Sequence, residues 1–220
     1  MPRQDFDQHL QMLQQELLVL GSMVQEAISR STDSLKNRNL AMAQQVIADD
    51  IKINKKRYDI EELGIELIAR QQPLASDLRL IVAVLNIIVD LERIGDHAEG
   101  NAKIALMIGD EPPLKPYIDI PRMAEKTNEM LSSALDAFIK RDVAAARKVM
   151  AQDDAVDDLY DQVFRELLTY MAADPQTIDR GTRLIWAAHN LERSADRVTN
   201  ICERTIFVIT GKVEEGVSTY

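Results

Sequence analysis

Leu91-Glu92-Arg93 followed by Asp96 returns one hundred positions later as Leu191-Glu192-Arg193 followed by Asp196. Two halves that carry the same acidic segment are most simply a duplicated unit, and the segment marks what both copies kept. The agreement extends upstream. Arg38-Asn39-Leu40-Ala41-Met42-Ala43 aligns with Arg141-Asp142-Val143-Ala144-Ala145-Ala146, and Asp50, Ile53 and Asn54 align with Asp153, Val156 and Asp157. These segments are 103 positions apart, so a small insertion or deletion lies between them and the Leu-Glu-Arg motif.

The segments around the motif read as long helices. From Phe6 to about Lys36, Leu10, Leu13, Leu17, Leu20, Val24 and Ile28 recur at mixed three- and four-residue spacing, which lines one face of a helix. Asn39 is the expected N-cap of a second helix running to about Arg70, and a third runs from about Pro73 to Ile108. At 1.5 Å per residue each is roughly 45 Å long, and short turns fold such rods back antiparallel. Gly109 to Pro121 holds four of the seven prolines and reads as a linker. Beyond it come a helix from about Arg122 to Lys140, a turn with Asp142 as N-cap, a helix to about Ala173, a break at Pro175 and a last helix to Ile209. The predicted fold is all-α: two antiparallel three-helix bundles in tandem, six long helices in all. Its parts are residues 1–110, a linker over 111–121, residues 122–211 and a tail over 212–220.

Composition narrows the function. Few aromatics and eight glycines in 220 residues agree with an all-helical chain. Residues 1–110 carry 12 basic and 17 acidic side chains and residues 111–220 carry 14 and 19, so each half is −5. A net charge of −10 argues against nucleic acid as a partner. Cys202 is the only cysteine, which excludes an internal disulfide and a thiolate metal site. The start, Met1-Pro2-Arg3-Gln4-Asp5, does not read as a signal peptide. Leu80 to Leu91 is interrupted by Asn86 and Asp90 and falls short of the ~20 apolar residues a bilayer requires. A cytoplasmic protein without membrane insertion is expected. No Gly-rich phosphate loop follows a strand pattern.

Residues four apart on a helix share a face, about 6 Å apart along the axis. Glu92 with Asp96, Glu192 with Asp196, Asp153 with Asp157, and Asp50 with Asn54 are such pairs, one on the second and one on the third helix of each half. Neighbouring antiparallel helices can bring two pairs onto one surface. That set of oxygens suits hard or borderline cations such as Fe, Mn, Mg or Ca. Arg93 and Arg193, next to each glutamate, could instead neutralise the acids in a metal-free scaffold. A carboxylate-bridged, ferritin-like di-metal enzyme is the runner-up reading, but it requires Glu-x-x-His motifs, and the chain offers only the reversed, unrepeated His189-x-x-Glu192. His9 reads as a surface residue, Trp186 as core, and Lys52, Lys55, Lys56 and Arg57 as a solvated basic face.

Asp90-Leu91-Glu92-Arg93-Ile94-Gly95-Asp96-His97-Ala98, preceded by Gln72-Pro73 and Asp77-Leu78-Arg79, closely resembles the first repeat of the PhoU family. Asn190-Leu191-Glu192-Arg193-Ser194-Ala195-Asp196, with Asn200 four further on, is similar to its second repeat. The likeness spans about residues 5–211. Gly100, with Asn101 beside it, departs from the pattern, because Asn is usual four residues after the Asp; Asn54 stands where the second half has Asp157. The resemblance implies a non-enzymatic cytoplasmic adaptor, often a homodimer, between the phosphate transporter's ATPase subunit and a sensor histidine kinase. Such a protein restrains uptake and the phosphate-starvation response when phosphate is plentiful. Some members carry iron or zinc on the repeated acids. Carried over residue by residue, the ligands would be Glu92, Asp96, Asp50 and Asn54 in one half, and Glu192, Asp196, Asp153 and Asp157 in the other.

Overall fold

The computed structural model describes residues 3–212, so the predicted tail beyond Lys212 lies outside the described residues. The first repeat is three antiparallel rods: α1 (Arg3–Asn37), α2 (Leu40–Gln71) and α3 (Ala75–Ile108). The second comprises α4 (Asp119–Lys140), α5 (Val143–Met150), α6 (Asp154–Ala173) and α7 (Ile178–Thr210), with a 3₁₀ turn at Pro175–Thr177. The described residues contain no strand.

The apolar row predicted for α1, from Leu10 to Ile28, is buried along its length. Both predicted N-caps form. Asn39 accepts from the Met42 backbone N–H at 3.0 Å and Asp142 from that of Ala145 at 3.0 Å, each satisfying an otherwise unpaired amide of the first helical turn. Arg38 and Arg141, at equivalent places in the repeat, both take positive φ (53° and 55°) to turn the chain back.

Three boundaries differ from the sequence reading. Pro73 stands ahead of α3, because Gln72 caps α2 in the left-handed conformation. Helix α4 starts at Asp119, so Pro121 falls in its first turn, where a missing N–H costs nothing, and the linker ends at Ile118. The fifth rod is broken. Gln152 and Asp153 donate to carbonyls three residues back (2.9 and 3.2 Å), which separates α5 from α6. The matching stretch of the first repeat, with Asp49-Asp50 in the same place, stays helical, and nothing local in the sequence accounts for the break.

The bundles share one hydrophobic core, and the most extensive helix pairing in the molecule is α3 on α7, across the repeats. Helix α1 packs on α4 beside it. The linker is pinned down: Lys115 is buried and ion-paired with Asp119 (3.1 Å) and Glu166, and Arg180 donates to the carbonyl of Pro112, while Arg183 donates to that of Met107 in the last turn of α3.

Candidate functional site

In the first repeat Asp50 projects from α2 toward Gly95 on α3. A β-carbon at that glycine would stand 3.2 Å from Cγ2 of Ile53 and 3.7 Å from Asp50 Oδ1, so the missing side chain lets α2 approach closely at Ile53, one turn from the carboxylate. Oδ2 accepts from Asn54 Nδ2 at 2.7 Å, whereas Oδ1 is buried without a partner. Burial raises the Asp50 carboxyl above its ordinary range, and repulsion from Glu99, Asp96 and Glu92 adds to this. Asp50, Asn54, Glu92 and Asp96 therefore converge from α2 and α3. Glu99 joins them and was not singled out from the sequence; its signal was its place three residues beyond Asp96 and seven beyond Glu92. Lys103 holds Glu99 at 2.6 Å, and Arg93 reaches Asp96 at 3.0 Å and Glu92 at 3.6 Å.

The second repeat draws the same positions together with more charge. Asp153, Asp157, Glu192 and Asp196 face one another from α6 and α7, and Asp153 Oδ1 and Glu192 Oε2 are buried without hydrogen-bond partners. Burial first, then repulsion from Asp157, Asp196 and Glu192, pushes Asp153 up to about 7. Burial and Asp196 push Glu192 to about 7 against the opposing pull of Arg193. Asp157 is raised by burial and by Asp196. The difference between the repeats has a simple cause. Asn54 gives Asp50 a donor where Asp157 gives Asp153 another negative charge. Arg193 binds Asp196 at 2.6 Å, so the arginine neutralisation considered for the metal-free scaffold holds for that acid. It leaves Asp153 uncompensated.

His189 Nδ1 stands 3.3 Å from Glu192 Oε2, within ion-pair distance but without hydrogen-bond geometry. Burial and Arg193 keep its imidazole below the ordinary range, hence neutral near pH 7.

The residues around the Gly100 departure do other work. Asp90 is buried on α3 and accepts from Asn200 Nδ2 (3.1 Å) and Arg197 Nη1 (3.4 Å) of α7. At the symmetry-related point Asn190 donates to Asn101 at 2.9 Å, and a β-carbon at Gly100 would stand 3.0 Å from the Asn190 amide nitrogen. Position 100 thus serves the seam between repeats and lies apart from the acidic cluster. Two other readings are corrected. Trp186 is 54% exposed, because it sits on the outer side of α7 rather than toward the core. Lys56 and Arg57 are mostly covered: Lys56 ties α2 to α1 through Glu16, and Arg57 pairs with Glu61 one turn on within α2 at 2.9 Å.

Among the described residues no group of three or more His, Cys, Asp or Glu side chains is already drawn together tightly enough to hold a metal ion. The donors nonetheless fit one in kind: each cluster offers carboxylate oxygens with no partner and more negative charge than its arginine offsets. No described helix is long and apolar enough to cross a membrane.

Fold and site together define an internally duplicated helical-bundle protein with one acidic cluster in each repeat. The PhoU domain model matches residues 17–105 and 120–205, most of the chain, and the chain belongs to that family. It is 40% identical over 204 residues to the phosphate-specific transport system accessory protein PhoU homolog of Aquifex aeolicus (strain VF5), covering 93% of this chain and 92% of that one. The crystal structure of PhoU from Pseudomonas aeruginosa superposes with a TM-score of 0.89 at 36% identity, covering 94% of this chain and all of that one. The phosphate transport system regulatory protein PhoU from Streptococcus pneumoniae also gives 0.89, at 31% identity, covering 96% and 99%.

Proposed function

We propose that this chain is a cytoplasmic, non-enzymatic regulator of phosphate uptake and of the phosphate-starvation response. It couples the ATPase subunit of a phosphate transporter to a sensor histidine kinase and represses both outputs when phosphate is plentiful. The observation that carries the reading is similarity over nearly the whole chain, through both repeats, to proteins named as accessory to phosphate-specific transport. Rigid rods about 50 Å long, α1 and α3 among them, present extended surfaces, and a partner that prefers one state of such a protein shifts its population.

The acidic clusters support a subsidiary proposal. A cation held by Asp153, Asp157, Glu192 and Asp196, or by Asp50, Asn54, Glu92 and Asp96, would relieve the repulsion stored there. An all-oxygen set favours iron, manganese or magnesium over zinc, which prefers nitrogen and sulfur. When bound, such an ion supplies charge neutralisation and cross-links the two helices of the cluster. The arrangement of the acids does not favour the ferritin-like enzyme, since no Glu-x-x-His pair enters either cluster.

Pull-down of the transporter ATPase and the sensor kinase at high and low phosphate tests the adaptor, alongside a phosphate-starvation reporter in a deletion strain. Binding to neither partner at any phosphate level, with an unchanged reporter, overturns the reading. Elemental analysis of untagged protein tests the cation, and sedimentation tests the homodimer the family resemblance leads us to expect.

A further inference from the structure

The second repeat carries an exposed aromatic ridge that the first lacks. Asp153, just ahead of α6, and Asp157, Tyr160, Phe164 and Leu168 within it recur at three- and four-residue spacing and form one stripe alongside α7. The Tyr160 and Phe164 rings are 6.3 Å apart, Tyr160 and the His189 ring 5.8 Å, and His189 reaches Glu192 at 3.3 Å. The ridge therefore runs straight into the carboxylates. Phe164, Leu168 and Trp186 are exposed, the tryptophan one turn from His189.

Nothing in the packing of the fold requires this ridge. The equivalent positions of the first repeat are Arg57, Glu61, Ile65, Asn86 and Val89: Ile65 and Val89 are exposed aliphatics, but the aromatic places hold Arg57 and Glu61, paired at 2.9 Å, and Asn86. Clustered, exposed aromatic and aliphatic side chains mark an interaction surface. Its charge selects the partner. Helix α6 carries Asp154, Asp157, Asp158 and Asp161 against Arg165, with Glu166 already paired to Lys115; on α7 Arg183 is held by Asp179 and Arg193 by Asp196, and Asp153 and Glu192 are left with unpaired oxygens at the ridge's end. A second copy of this chain, at −10, would bring like charge to the face, and residues 213–220 offer two glutamates and no base.

We propose that the α6/α7 face docks a basic amphipathic helix of a partner protein. The helix's apolar side would cover Phe164, Leu168 and Trp186, and its Lys or Arg side chains would meet the carboxylates around Glu192 and Asp153. This goes beyond the phosphate reading and does not depend on it, since it follows from the aromatic side chains of the second repeat, which the first replaces with Arg57, Glu61 and Asn86.

Trp186 is the sole tryptophan and reports directly. The probe is a Leu/Lys peptide of about 18 residues with a helical apolar stripe. Controls are a scrambled peptide of the same composition and a Leu/Glu peptide of the same pattern, all titrated in chelator and ~0.15 M salt. The Leu/Lys helix shifts Trp186 emission to the blue and saturates. The scramble binds at least about tenfold more weakly, and the Leu/Glu peptide does not bind. Phe164→Ser with Leu168→Ser lowers affinity on the order of tenfold or more without lowering the melting temperature, whereas Ile65→Ser, the first-repeat counterpart of Leu168, leaves it unchanged. Equal binding of helix and scramble, or unchanged affinity in the double variant, overturns the proposal. So does a wild-type dimer that the double variant dissociates in sedimentation, because that face would then belong to a second copy.

Discussion

Asp153→Asn should stabilise the protein at pH 8 and leave it nearly unchanged at pH 4. Asp153 is pushed from an ordinary 3.8 to about 7 by burial and by the carboxylates of Asp157, Asp196 and Glu192. The folded state thus holds a proton that the unfolded chain releases earlier. The stability tied to that proton is complete below pH 4, falls as pH rises through the interval up to about 7, and is gone above it. Taken at face value the shift corresponds to about 4 kcal/mol. Asp153 is only half-buried and the cluster opens to solvent, so screening reduces this to about 1–2 kcal/mol. For a chain of this length that is a rise of about 3–6 °C in melting temperature. Calorimetric melts of wild type and variant from pH 4 to pH 8, in chelator and at fixed salt, measure it. Asparagine keeps the shape and cannot ionise, so the variant's profile should flatten over the window in which the wild type declines. An Asp153→Asn protein that melts at or below the wild-type temperature at pH 8 refutes the reasoning, because the carboxylate would then be satisfied and not repelled. Added Mn²⁺ or Fe²⁺ should raise the wild type more than the variant, whose first-repeat cluster alone is intact.

Gly21→Ala should lower the melting temperature by up to about 6 °C, since the new β-carbon would collide with Cδ1 of buried Leu135, and overpacking a core costs about 1–3 kcal/mol against a helix-propensity gain near 1. Gly181→Ala meets only the flexible Met171 chain at 2.8 Å and should be neutral or slightly stabilising in the same melts. Asp90→Ala should cost about 1–3 kcal/mol by denaturant titration, because it strands Asn200 and Arg197 in the seam between repeats; Asp90→Asn, which mimics Asn190, should recover most of that loss. Asn39→Ala and Asp142→Ala should each cost about 1 kcal/mol, through the same lost cap in two copies of one turn.

How far the sequence could be read depends on how local each question was. The spacing of Leu10 to Ile28, the caps at Asn39 and Asp142, and the paired acids four apart are all matters of helix geometry within one segment. The structure agrees with them for that reason. Trp186 was misread as core because a large aromatic on a helix carries no local mark of which way the helix is turned. Glu99 has the helical spacing to share a face with Glu92 and Asp96, and only the packing of α2 against α3 brings its charge to bear on Asp50.

Duplication, the helical period and the acid pairs were written in the order of residues alone, because the α-helix has a fixed 3.6-residue turn and a repeat needs only comparison with itself. Which faces meet was decided by burial summed over the whole molecule: α3 against α7 in one continuous core, Asp90 and Asn190 at the seam, Asp153 half-buried beside Glu192 with one oxygen unpartnered, and the aromatic ridge left outside. Those placements follow from packing between residues a hundred positions apart, and no window along the chain contains both sides of such a contact.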